Sequence, residues 1–300
     1  MEPVALGLLV FGAALAEPVS RRLARARWPE RDPVGALLLW QAVGLAGGLA
    51  LVASGVVYGV APLAPTTIGA VGVPVRSLVG GTWPPALGGL HAVALVLALA
   101  LALRLLGVLA VVTVRTLRAR ARHRDLLDLL GTPWPQAPGA RVLDHPVPVA
   151  YCLPGLRSRL VVSAGVLDAL DVAQVFAVLT HERTHLRERH DLVVLPFVAW
   201  GATAPFVRGM VCAQIAVAAL IEMRADDVAA QKADAHELSQ ALCAMGGAAP
   251  AAALSSFTTA LDRRLARITD PPAPLPLPLR VLLRLVAVGL VAVPVLAIVL

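Results

Sequence analysis

Two long stretches of this chain carry no charged residue: Val34 to Val75 and Ser77 to Leu103. A water-soluble fold has to turn much of such a stretch outward. Each apolar side chain left in water rather than buried costs roughly 1.5–3 kcal/mol. The composition repeats the point, at 58% hydrophobic and 15% charged, where soluble globular chains run at about 45–50% and about 25%. Disorder, collagen and a small disulfide-stapled domain are excluded on the same grounds. The expected environment is a lipid bilayer.

A spanning helix needs about 20 mostly apolar residues. Four segments qualify: Pro3 to about Val19, about Val34 to Val60, about Leu87 to Val114, and Arg280 to Leu300. Ala14-Leu15-Ala16 resembles a signal-peptide cleavage site, but the chain starts Met1-Glu2 with no positive charge ahead of the apolar run. The first segment therefore reads as an anchor rather than a removable signal. Arg104 falls inside the third span, close enough to its end to be expected to snorkel to the interface.

The net charge of +7 comes from 25 Arg and the single Lys232. The Arg residues sit beside apolar runs, and aromatics are only 4%. They therefore read as loop charges that set orientation, and direct nucleic-acid binding is not expected. Arg21, Arg22, Arg25, Arg27 and Arg31 lie between spans one and two. Arg115, Arg118, Arg120, Arg122 and Arg124 follow span three, and Arg263, Arg264, Arg267 and Arg280 precede span four. The loop between spans two and three holds only Arg76. The positive-inside rule then predicts a multi-pass cell-membrane protein with its N-terminus outside and residues 115–279 in the cytoplasm. Cys152, Cys212 and Cys243 form no paired motif and read as small buried residues in a reducing compartment.

Three regions follow: a membrane region at 1–114, a membrane-associated cytoplasmic domain at 115–279, and a C-terminal span at 280–300. The expected fold is mainly α, polytopic, with about four transmembrane helices and a small α+β domain. In that domain, Arg141-Val-Leu, Val147 to Tyr151 and Leu160-Val-Val read as strands separated by Pro146 and the Pro154-Gly155 turn. Asp171-Val-Ala-Gln174 reads as a capping box. It opens a helix expected to run to about His190, with Val172, Val175, Phe176, Val178 and Leu179 as its apolar surface.

That helix carries His181-Glu182-Arg183-Thr184-His185. Residues i and i+4 share a helix face, so both imidazoles can reach one Zn²⁺. Glu182 then points to the side from which a water would attack, as a general base. The pattern alone also fits an exposed, salt-bridged helix, given Arg183, Arg187, Glu188 and Arg189. A metzincin would carry Gly at 188 and His at 191, but Glu188 and Asp191 stand there, and His190 is one residue out of register. Glu222 and Asp226, again i and i+4, offer another completion: Glu222 as third ligand and Asp226 orienting a ligand imidazole. The two motifs in this order point to a zinc site made by His181, His185 and Glu222.

HExxH followed by ExxAD resembles the gluzincin membrane peptidases of the HtpX and CAAX-prenyl-protease type. Three spans before the zinc domain and one after it are more similar to the BlaR/MecR-type sensor-transducer peptidases. The stretch from Pro148-Val-Ala-Tyr-Cys-Leu-Pro-Gly155 through Leu160-Val-Val-Ser-Ala-Gly165 to Val178-Leu-Thr-His-Glu182 is similar to the region before HExxH in both. The resemblance covers most of the chain, with its specific motifs within about Val147–Ala229. It implies zinc ligation by His181, His185 and Glu222, with Glu182 as base and Asp226 in support. The BlaR type carries an extracellular sensor domain after its last span. This chain stops at Leu300, so β-lactam sensing by that route is not expected.

Leu192 to Phe206 and Gly209 to Ile221 are apolar but below spanning length. A re-entrant or interfacial pair is favoured over two full spans. The strand at Leu160 to Ser163 is expected to offer an open edge to an extended peptide. Tyr151, His236 and Arg263 are candidate donors to an oxyanion. Asp270 to Pro278 reads as a stiff polyproline connector. The leading expectation is an integral-membrane zinc metalloendopeptidase acting at the cytoplasmic face on a protein or peptide substrate, with a transcriptional repressor or a membrane protein as candidates. The alternative is a non-catalytic membrane signalling module with structural zinc.

Overall fold

The computed structural model describes residues 1–64, 66–80, 84–155, 158–246 and 254–299. Leu300, the expected end of the last span, lies outside them, as do residues 81–83 of the second uncharged stretch. Four of the described helical stretches are long and apolar enough to cross a membrane: Glu2–Ala24, Pro33–Val60, Gly89–Leu130 and Leu277–Val299. The chain is a mainly helical, polytopic membrane protein with one small sheet.

The first stretch comprises α1 (Glu2–Ala14), a wide π-helical turn at Leu15–Val19 around Pro18, and α2 (Ser20–Arg25). Then come α3 (Pro33–Val60), α4 (Thr67–Val79) and α5 (Gly89–Leu130). α3 is the hub, packed against α1, α5 and, near the end of the chain, α12 (Leu277–Val299). Small residues permit this. Ala5 and Leu8 meet Ala50, Ala53 and Val57 in one cluster. Gly55 and Gly59 lie so close to Ala98 and Leu95 that a Cβ at either would overlap them. Helices in lipid gain little from the hydrophobic effect and associate through such close van der Waals contact.

α5 departs from expectation. It does not end near Val114 but runs unbroken for 42 residues to Leu130, about 60 Å at the helical rise. The boundary expected at 114/115 therefore falls inside a helix, which also carries His123. Arg, Leu and Ala are strong helix formers, and no Gly or Pro interrupts them between Gly107 and Gly131.

The sheet follows, with β1 (Thr132–Pro133), β2 (Ala140–Leu143), β3 (Ala150–Leu153) and β4 (Arg159–Ser163) in the order β1-β2-β4-β3. β4 runs parallel to β2 and antiparallel to β3, with Tyr151 opposite Val161. The strands at the two edges of the sheet are thus β1 and β3. The expected edge strand at Leu160 to Ser163 is interior and paired on both sides, which is why Val161 and Val162 are almost wholly buried.

After α6 (Ala164–Ala169) comes α7 (Val172–Arg187), which opens with the expected capping box between Asp171 and Gln174. Val175, Val178 and Leu179 pack on Leu160 and Val162 of the sheet, whereas Val172 and Phe176 are exposed. α7 stops short of His190. Arg189 takes a left-handed conformation (φ 52°), and the chain turns into α8 (His190–Thr203). α9 (Arg208–Lys232), α10 (Ala235–Gly246) and α11 (Leu254–Thr269) complete the domain, and Ala177, Ala229, Leu238 and Ile268 form a joint core. The Pro-rich segment after Asp270 forms neither helix nor strand until α12 begins at Leu277.

α8 and the first half of α9 form the apolar hairpin foreseen in the sequence, and it lies alongside the candidate spans. Trp200 rests against Gly44, Gly47 and Gly48 midway along α3, and Phe197 and Val217 share a cluster with Ala36 and Trp40. Two charged residues of the spans meet its turn. Arg104 donates to the Thr203 carbonyl from Nη2 at 2.9 Å, and Glu17 Oε2 accepts from the Gly209 N–H at 2.7 Å. Arg104 thus satisfies a helix-end carbonyl, and Glu17 does the same for a helix-start N–H.

Candidate metal centre

α7 and α9 pack side by side and bring the two sequence motifs together. One helical turn separates His181 from His185, so their Nε2 atoms face each other at 3.1 Å. From α9, Glu222 places Oε2 3.4 Å from His181 Nε2 and Oε1 3.6 Å from His185 Nε2. One ligand atom from each residue lies within 4.8 Å of the other two. Two imidazole nitrogens and a carboxylate oxygen converging on one point, with a cleft on the open side, suit a tetrahedral ion that keeps one position free.

The second nitrogen of each imidazole also has a close polar neighbour. His181 Nδ1 lies 3.0 Å from Oδ1 of Asp226, whose side chain is 1% exposed. Asp226 is gripped in turn by Arg264 of α11, which donates from Nε at 2.8 Å and Nη2 at 2.7 Å. Nη1 of the same arginine reaches Glu222 at 3.1 Å. His185 Nδ1 faces His190 Nδ1 at 3.0 Å. His190 Nε2 lies 3.3 Å from Glu188, which accepts a forked pair from Arg224.

These surroundings separate the two histidines electrostatically. Burial alone would lower the His181 pKa, but hydrogen bonds and charge from Asp226 and Glu222 outweigh it and raise it to about 9. At His185 burial prevails, joined by the positive surroundings of His181, His190 and Arg264, and the value falls to about 4. Glu182, also buried, has its pKa raised by desolvation first and by the Glu222 charge. Its carboxyl faces the main chain and thiol of Cys152, whose own pKa burial pushes up.

A cleft of about 440 Å³ opens over these groups. Tyr151 and Cys152 on β3, with Arg120 of α5, line its polar side. Val194, Leu195 and Val198 of α8 and Ile221 of α9 line the other. Arg120 is tied to Asp191 at 2.8 Å, so the long α5 helix reaches the site directly.

Of the three candidate oxyanion donors, only Tyr151 is in the cleft, its hydroxyl 2.8 Å from His123 Nε2. His236 is exposed and bonds Gln240, and Arg263 is exposed beside Glu30. The arginine that matters is the next one, Arg264. Arg264, Arg267 and Ile268 share the face of α11 that turns inward, while Arg263 lies off it. Cys152, expected simply as a buried residue, lines the cleft beside Glu182, and no spacing pointed there.

The fold and the site define a membrane protein in which two helices bring together a His-His-Glu cluster able to hold a metal ion. Residues 114–255 match the model of peptidase family M48. The match implies a membrane-associated zinc metallopeptidase. Neither the curated proteins nor the solved structures that were searched contain a match.

Proposed function

We propose that the protein is an integral-membrane zinc endopeptidase that hydrolyses a peptide bond of a protein substrate at the cytoplasmic membrane face. The observation that carries this is the convergence of His181, His185 and Glu222 at the floor of an open cleft with the Glu182 carboxyl beside them. His181, His185 and Glu222 would hold the zinc. When bound, the ion supplies Lewis acidity to the scissile carbonyl and to water. An extended substrate pairs with the open edge of β3, as in strand addition. Glu182 takes a proton from the attacking water as its oxygen bonds to the carbonyl carbon. The same proton passes to the amide nitrogen as the C–N bond breaks. Tyr151 is the cleft hydroxyl available to the oxyanion.

A non-catalytic module with structural zinc has no use for a desolvated carboxyl at this point of the cleft, so the enzyme reading is preferred. The apolar wall made by the α8–α9 hairpin favours a substrate segment near the bilayer, such as a membrane protein or a membrane-proximal repressor. Glu182→Gln is expected to keep stoichiometric zinc and to lose cleavage by at least about a thousandfold. Expressed in its native membrane, this variant should accumulate bound substrate, identified by crosslinking and mass spectrometry. Full proteolysis by it would refute the mechanism.

A further inference from the structure

His190 is 4% exposed and begins α8 directly after the left-handed Arg189, which folds it back onto α7. Its Nδ1 lies 3.0 Å from His185 Nδ1, and its Nε2 lies 3.3 Å from Glu188 Oε2. Glu188 is clamped by Arg224, with Nε at 3.1 and 3.0 Å from its two oxygens and Nη2 at 2.7 Å. Chemistry then assigns each role. His185 turns Nε2 toward His181 and Glu222. A ring nitrogen that offers its lone pair there leaves the ring proton on the other nitrogen. Only one of the two facing Nδ1 atoms can carry a hydrogen, so His190 Nδ1 accepts. The proton of His190 then sits on Nε2, aimed at Glu188, and an ionised carboxylate only accepts. Each link has one donor and one acceptor.

We propose that His190, held by Glu188 and Arg224, is a positioning residue for the metal. It accepts the His185 Nδ1–H bond and thereby sets the tautomer and ring plane in which His185 presents Nε2. This rests on the reading of His181, His185 and Glu222 as ligands. The two imidazoles are supported differently: His181 leans on a carboxylate directly, and His185 reaches one through a second imidazole. Residues that hold ligand histidines in this way typically contribute tenfold or more to metal affinity.

Two near-isosteres separate the acceptor from the packing. His190→Asn puts its amide oxygen where Nδ1 sits, keeping an acceptor for His185 but losing Glu188. His190→Gln reaches the Nε2 position and Glu188 but leaves the His185 N–H with no acceptor. The full-length chain is purified in detergent and stripped of metal, and Zn²⁺ affinity is read by competition with a chromophoric chelator. Co²⁺ absorption bands report the ligand geometry. His190→Gln should bind Zn²⁺ about 10–100-fold more weakly with altered Co²⁺ bands, and His190→Asn should stay within about threefold of the parent. Unchanged affinity in the Gln variant, or equal loss in both, overturns the proposal. Glu188→Ala leaves His190 in place and tests the same chain without touching the imidazole. Affinity lowered several-fold supports the relay, and unchanged affinity overturns the part given to Glu188 and Arg224. A parent protein that binds no Zn²⁺, or a His185→Ala variant that keeps it, refutes the ligand assignment itself. That outcome is distinct from a tight parent site indifferent to His190.

Discussion

Among single residues, Arg189 shows how a local backbone conformation serves the site. It is the one non-glycine residue with positive φ among the described residues, and its left-handed turn ends α7 and aims His190 at His185. A side chain in that conformation costs roughly 1–2 kcal/mol, which glycine avoids at the expense of more freedom when unfolded. Arg189→Gly is therefore expected to raise unfolding stability by about 0.5–1 kcal/mol while leaving metal affinity unchanged, whereas Arg189→Val should lower both. Denaturant unfolding in detergent measures this, and a destabilised glycine variant would contradict the argument. His181, His185, Glu222 and Asp226 were legible from i, i+4 spacing alone. His190 and Arg264 were not, because the first depends on a chain reversal and the second on which face of α11 turns inward.

The decisive element is the α8–α9 hairpin, whose turn is held by Glu17 and Arg104 from two different spans. Gly209 opens α9 against the first span, where a Cβ would overlap the Ala16 carbonyl and Glu17. Gly209→Ala should push the hairpin from the first span and lower stability by about 1–3 kcal/mol. Gly107→Ala, with open space around it, should be neutral or slightly stabilising. Thermal unfolding of the pair in detergent checks the contrast, and equal stability of the two variants would refute the close fit. The apolar runs were readable in the sequence as too short to span. Their partners were not, because Arg104 looks like any arginine near a helix end until the Thr203 carbonyl is found beside it.

Taken whole, the molecule brings two of its basic segments together. Arg31 donates to the Ala273 carbonyl, and Arg267 binds the Glu30 carbonyl and Asp227. The loop after the first span thus touches α11 and the connector to the last span. This agrees with the proposed orientation, which collects these arginines at the cytoplasmic face. Single cysteines in a background with Cys152, Cys212 and Cys243 replaced by serine give the test. Thr66→Cys, between spans two and three, should react with a membrane-impermeant maleimide on intact cells, and Asp144→Cys should react only after lysis. The reverse pattern would invert the topology.

Hydropathy and helical periodicity are local properties, and the sequence alone determined what depends on them: a membrane protein, four candidate spans, and a His-His-Glu set on two helices. The tertiary structure decided whatever requires distant segments to meet. It put β4 inside the sheet and left β1 and β3 at its edges, because pairing depends on chain path rather than strand composition. It carried α5 through the expected domain boundary and brought Arg120 to the cleft. It also surrounded the histidines with Arg264, His190 and Glu188, which differ from other surface polar residues only in where folding places them.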